Sequence, residues 1–161
     1  MLTVTRNNIF TSECQVLVNP VNCVGVMGSG LALSFKQKFP DMYNRYQLAC
    51  SNNQLKVGKL LLYKRSEPWI LCFPTKDHWK NPSEYKYLSD GLRKFRATYK
   101  SKGIQSIAFP LLGTGLGKLD IEKVLITMRD YLEDLPIKVE IRHHKYNLKK
   151  FAKDVGIARI S

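Results

Sequence analysis

"QVLVNPVNCVGVMGSGLALSFKQKFP", residues 15–40, decides the fold class. Residues 15–21 are almost wholly apolar, which is the composition of a strand buried on both faces, not of one that alternates between core and water. Glycines then cluster at Gly25, Gly28 and Gly30. A helical spacing follows, with Leu31, Phe35 and Phe39 recurring every four residues until Pro40 stops the run. Outward from this stretch the alternation continues. Short strands are predicted over 2–5, 59–63, 69–73, 106–112 and 137–142, and helices over 41–51, 84–101 and 121–133. Strands alternating with helices imply an α/β layer fold, with helices on both faces of a mixed, mostly parallel sheet.

The 161 residues suit one domain, long enough to bury roughly 70% of its unfolded surface. A hydrophobic content of 44% against 24% charged residues argues for a folded globule. No apolar run approaches the roughly 20 residues of a membrane span. The N-terminus lacks the basic start and apolar core of a secretion signal, so a cytoplasmic protein with no membrane partner is expected. Cys14, Cys23, Cys50 and Cys72 form no CxxC pair, and the adjacent His143 and His144 cannot chelate as an i, i+4 pair would. The expectation is buried, reduced thiols, with no metal, disulfide or cofactor. Twenty-six Lys and Arg against 13 Asp and Glu leave a net charge of +13, which favours an anionic ligand or a nucleic-acid partner over an apolar metabolite. Residues 1–142 read as one domain. The segment 143–161 reads as a basic tail or terminal helix, with a nucleic-acid contact as its functional alternative.

Two glycine-rich loops follow buried strands: Gly25–Gly30, and Gly113-Thr114-Gly115-Leu116-Gly117. Glycine lets backbone N–H groups turn toward an anion, and a helix beginning after each loop adds its positive end. Neither loop is a P-loop, and neither matches G-x-G-x-x-G. Each taken singly is either a tight turn or a phosphate cradle. A third segment is "WILCFPTKDHW", residues 69–79, where a buried strand breaks at Pro74 and presents Lys76 between Thr75 and Asp77. Lys76 is either one more solvated cation or a chemical group.

Residues 16–40, "FPTKDHWKNPS" (73–83), "SIAFPLLGTGLGKLD" (106–120) and the strand at 137–142 together resemble a macrodomain, the ADP-ribose-binding module. More narrowly they resemble the branch of DNA ADP-ribosyl glycohydrolase antitoxins, related to terminal ADP-ribose protein glycohydrolase. The resemblance covers about residues 2–141, and its most specific element is F-P-T-K-x-H-W followed by Pro82-Ser83. It implies a three-layer α/β/α sandwich with ADP-ribose in a cleft at the strand ends. Asn22, Gly25, Val26, Met27, Gly28 and Gly30 match the loop that holds the distal ribose and diphosphate. Leu112, Gly113, Thr114, Gly115, Leu116 and Gly117 match the loop covering the diphosphate from the other side, and Thr75 joins the ligand set. The family's Gly-Asp-Ile segment at the adenine is here Asn7-Asn8-Ile9, which leaves Asn8 and Ile9 as adenine contacts and departs from the pattern at residue 7.

In that branch the lysine matched by Lys76 is catalytic. A neutral amine attacks the electrophilic C1″ of the ribose, expels the modified group, and forms a Schiff-base or related adduct that water releases. An exposed lysine with pKa near ~10.4 is protonated at neutral pH, so the site must lower that value by desolvation or by a neighbouring cation. The protein-directed relative carries an acid where this chain has Gly117, whereas the DNA-directed antitoxins have glycine. Asp120 is read as an N-cap of the helix that follows. The missing acid and the +13 charge point to ADP-ribosylated single-stranded DNA, modified on thymine, as substrate. His78, Trp79 and Lys80 are then candidate strand contacts, and a cognate ADP-ribosyltransferase toxin is a candidate partner. The alternatives are a non-catalytic ADP-ribose reader, or a hydrolase of protein-linked ADP-ribose or of ADP-ribose 1″-phosphate. The antitoxin family usually carries a second domain after this one. The chain ends at Ser161 without it, which fits a stand-alone enzyme or part of a longer protein.

Overall fold

The computed structural model describes residues 1–143 and 148–161, so His144 lies outside the described residues. Seven strands form one sheet in the order β3-β4-β2-β5-β6-β1-β7. They are β1 (Leu2–Thr5), β2 (Val16–Val21), β3 (Leu61–Tyr63), β4 (Trp69–Pro74), β5 (Ser106–Phe109), β6 (Lys138–Arg142) and β7 (Arg159–Ile160). Every pairing is parallel except that of the edge strand β3 with β4. Among the described residues five α-helices accompany them: α1 (Gly30–Lys38), α2 (Pro40–Ser51), α3 (Tyr85–Thr98), α4 (Ile121–Leu132) and α5 (Lys149–Asp154). This is the expected three-layer sandwich around a mixed, mostly parallel sheet.

The pleat divides the core in two, because successive strand residues point to opposite faces. Val16 and Val18 of β2 join Leu71, Phe73, Ile107, Phe109, Val139 and Ile141 under α3, α4 and α5. Leu17 and Val21 join Ile70, Cys72 and Ala108 under α1 and α2, whose Phe35, Met42 and Tyr46 are fully buried. That two-sided burial is why residues 15–21 carry no polar alternation. α3 approaches the sheet closely at Gly91, where a Cβ would lie 2.3 Å from the Phe73 ring.

Several boundaries differ from the sequence reading for identifiable reasons. β5 stops at Phe109 instead of 112, because Pro110 has no N–H to give the ladder. Leu111 and Leu112 remain buried outside it. β3 begins at Leu61, after a turn closed by Lys59 N–H on the Lys56 carbonyl (2.9 Å). Helix α3 ends at Thr98, and the chain leaves it through Gly103 in the left-handed region. In the C-terminal segment α5 buries Ala152, and the two residues of β7 add to the free edge of β1 with Thr3 opposite Arg159.

Candidate active site

β4, β2 and β5 are adjacent and parallel, so their carboxyl ends deliver three loops to one edge of the sheet, where ligands of open α/β folds bind. The loop after β2 is organised by Asn22. Its buried amide oxygen accepts from Val24 N–H (3.0 Å) and from the Tyr46 hydroxyl (2.7 Å), and its Nδ2 donates to the Val26 carbonyl (2.8 Å). The Asn22 side chain thus shapes the loop from inside. Gly25 turns with φ 82°, and its carbonyl accepts from the Tyr43 hydroxyl (3.3 Å). Met27 packs its side chain into the core beside Asn19, so only its backbone is offered to a ligand, whereas Val26, Gly28 and Gly30 are exposed.

The loop after β4 is stitched to the first. Thr75 N–H donates to the Val21 carbonyl (2.9 Å), Cys23 N–H to the Asp77 carbonyl (3.1 Å), and the Cys23 thiol lies 3.5 Å from the Lys76 carbonyl. Lys76 is half-buried, and its Nζ donates to the Trp79 carbonyl at 3.4 Å. Its ammonium is held below the usual lysine value, first by desolvation and then by the positive charge of Lys118. Asp77 does not act as a carboxylate partner for it: Oδ1 accepts from His78 N–H (2.7 Å) and Asn81 Nδ2 (3.3 Å), capping the turn. His78 Nδ1 accepts from Lys80 N–H (3.1 Å), and its ring lies 5.2 Å from that of Trp79. Trp79 is 51% exposed, and the Lys80 ammonium sits 5.3 Å over its ring.

The loop after β5 is closed by Leu119 N–H on the Gly113 carbonyl (2.9 Å) and by Lys118 N–H on the Gly115 carbonyl (3.1 Å). Ser83 N–H reaches across from the lysine segment to the Gly117 carbonyl (3.2 Å). Thr114 Oγ1 donates to the Leu111 carbonyl (3.3 Å), Leu112 is buried, and Leu116 stands 67% exposed at the loop tip. Asp120 accepts from Lys123 N–H (3.1 Å), so it caps α4 as expected.

Asn8 and Ile9 lie on the 3-10 turn after β1, three strands from β2 in the sheet. Asn8 Oδ1 accepts from Phe10 N–H (2.9 Å), which spends the amide oxygen on a cap, and Ile9 is buried. The turn is tied to α1 by the Phe10 and Phe35 rings (4.7 Å apart) and to β6 by Arg142, which donates to the Asn8 carbonyl (3.3 Å). Sequence reasoning missed Lys118 and gave Ser83 no role, although both stand in the quoted motifs. Tyr46 is also a site residue, and its only signal was helical spacing. Among the described residues no cluster of His, Cys, Asp or Glu is arranged to hold a metal, all four cysteines are free, and no helix is long and apolar enough to cross a membrane.

The Macro domain family matches residues 18–128, and the chain belongs to it. Within that family its likeness is to the DarG proteins. Over 159 residues it is 42% identical to the DNA ADP-ribosyl transferase-DNA ADP-ribosyl glycohydrolase fusion protein of Thermosipho africanus, covering 87% of this chain and 41% of that protein. The solved macrodomain of Thermus aquaticus DarG superposes with a TM-score of 0.84 at 38% identity, covering 89% of this chain and 97% of the other. Thermosipho africanus DarTG in complex with ADP-ribose superposes with a TM-score of 0.86 at 41% identity, covering 93% of this chain and 44% of that one. The chain spans about two-fifths of the length of the DNA ADP-ribosyl glycohydrolase relatives it matches.

Proposed function

We propose that this chain is an ADP-ribosyl glycohydrolase that removes ADP-ribose from a modified base in single-stranded DNA, with Lys76 as nucleophile. The observation that carries the reading is Lys76 itself, an amine with weakened hold on its proton, at the exit of β4 in a segment hydrogen-bonded both to the loop after β2 and to the loop after β5. The relatives named DNA ADP-ribosyl glycohydrolase support the substrate class.

The geometry supports the following mechanism. Backbone N–H groups of Gly25–Gly30 and Gly113–Gly117 receive the diphosphate, and the N-terminus of α1 adds its dipole. The turn carrying Asn8 and Ile9 receives the adenine. Asn8 has its oxygen committed to Phe10, so it contributes an N–H donor, while Ile9 contributes backbone groups. The neutral Nζ of Lys76 forms a bond to C1″ as the bond from C1″ to the base breaks, and the base leaves with the electron pair. The departing base takes up the proton that the amine sheds, the ring opens to an imine as its oxygen gains the remaining N–H proton, and water hydrolyses the imine to ADP-ribose and free lysine. Trp79 offers a face on which a base stacks, and Lys80 offers a cation for the strand's phosphates. A cognate ADP-ribosyltransferase is the partner whose product this site would consume, in keeping with the fused name of the Thermosipho relative.

The test is release of free ADP-ribose from an ADP-ribosylated single-stranded oligonucleotide. The parental protein is expected to turn the substrate over, and Lys76→Ala to bind it while losing at least about a hundredfold in rate. Release by Lys76→Ala at the parental rate removes Lys76 from the mechanism. Binding without turnover by the parental protein makes it a reader.

A further inference from the structure

Lys118 is the residue of the second loop that the glycine pattern leaves unexplained. Its φ of 65° lies in the left-handed region, which glycine enters freely and a side chain enters only under strain. Glycine stands at 113, 115 and 117, yet lysine stands at 118. Strained positions of this kind gather where function over-determines them. Gly117 has no room for any side chain, since a Cβ there would meet Ser83 Oγ at 2.3 Å. Position 118 is therefore the first after the glycine run from which a side chain can extend. The loop is also pinned to the lysine segment itself, through Ser83 N–H on the Gly117 carbonyl (3.2 Å).

The other charges around Lys76 are otherwise engaged. Asp77 caps the 78–81 turn, Lys80 lies over Trp79, and His78 accepts from Lys80 N–H. The Cys23 thiol, beside the Lys76 carbonyl, is pushed up to about 11, chiefly by burial, and is neutral at neutral pH. The charge that bears on Lys76 comes from the second loop, added to the effect of desolvation.

We infer that Lys118 is a second functional lysine of this site, a positioning residue that acts through Lys76 by carrying its positive charge on the loop pinned against the lysine segment. This rests on the glycohydrolase reading above. Like charges repel, so the less solvated amine gives up its proton more readily, and that amine is Lys76. The second loop thus does more than cradle phosphate: it prepares the nucleophile delivered by β4.

Lys118→Gly tests this without endangering the fold, because it removes the charge and relieves the turn together. Its thermal midpoint is expected to match or exceed the parental one. Lysines methylated with 13C-labelled formaldehyde allow Lys76 to be titrated directly by NMR, its signal assigned by loss in Lys76→Arg. In Lys118→Gly the Lys76 titration and the acid limb of kcat/KM are both expected to move to higher pH. The result is a several-fold loss at neutral pH that is recovered at alkaline pH. Lys118→Arg restores both. A Lys76 titration that stays in place in Lys118→Gly overturns the inference, as does an arginine variant that behaves like the glycine one. If the titration moves but the parental protein releases no ADP-ribose from modified oligonucleotide, the glycohydrolase reading fails while the coupling between the two lysines stands.

Discussion

At Gly117 a Cβ would lie 2.3 Å from Ser83 Oγ and 2.5 Å from the Gly113 carbonyl oxygen, closer than any real Cβ contact. An acid at this position is therefore not merely absent from the sequence; the loop has no space for one while Ser83 lies against it. Gly117→Ala is expected to cost about 1–3 kcal/mol in thermal or urea unfolding, as overpacking does, and to weaken binding of free ADP-ribose by displacing the loop. Ser83→Ala should not rescue it, since the Gly113 carbonyl remains in the way. Full recovery in the double variant would show that the serine alone sets the constraint. A glycine in the quoted motif was legible as a loop residue. That it faces a serine 34 positions earlier was not, because only the parallel pairing of β4, β2 and β5 brings those loops together. Lys118 was hidden for the same reason, and by a backbone conformation that residue type argues against.

Among the elements, β6 does more than pair with β5 and β1. Its Glu140, 8% exposed, accepts from Arg142 Nε (2.9 Å), Ser12 Oγ (2.6 Å) and the Cys14 thiol (3.3 Å). Arg142 in turn reaches the Asn8 carbonyl and Thr11 Oγ1 (3.1 Å), so the pair clamps the turn that carries Asn8 and Ile9. Burial pushes the Glu140 carboxyl up, but the hydrogen bonds from Arg142, Ser12 and Cys14 outweigh it and hold it below its usual value. The sign follows from linkage: the unfolded state binds the proton more readily, so this stability is present above the ordinary glutamate range and lost as pH falls through the folded value. Glu140→Gln leaves the Arg142 cation buried without its counter-charge, at an expected cost of about 3–5 kcal/mol. The acid limb of its stability curve should also be flatter than the parental one, measured by urea unfolding from neutral to acid pH. An unchanged acid limb would mean Glu140 does not carry this dependence. Long apolar runs such as 15–21 announced their strands, but the apolar run 106–112 overshot β5, which stops before Pro110. The two-residue β7 and the single turn at Ile9–Thr11 are too short to show a period, and tertiary contacts hold them in place.

For the whole molecule, the net charge of +13 would separate the two ligands that the proposed function assigns to one cleft. Free ADP-ribose carries a single diphosphate, which backbone N–H groups can receive, whereas a modified oligonucleotide adds a row of phosphates leading away from Lys76. Each phosphate neutralised by a lysine releases counterions, so affinity for a single strand falls with log salt at roughly 0.7 per contact. The modified strand should therefore lose affinity with added salt more steeply than free ADP-ribose does. Lys80→Ala should reduce the strand's slope by about one such contact and leave the ADP-ribose slope unchanged. On the proposed reading Trp79 acts by a different route, since stacking on an aromatic face is worth about 1–3 kcal/mol per base. Trp79→Ala is accordingly expected to weaken the strand by that amount at every salt concentration, without altering its slope. Isothermal titration of both ligands across a salt series distinguishes the two contributions. Equal slopes for strand and free ADP-ribose would mean that the cleft grips only the nucleotide, and that the excess positive charge lies off the substrate's path.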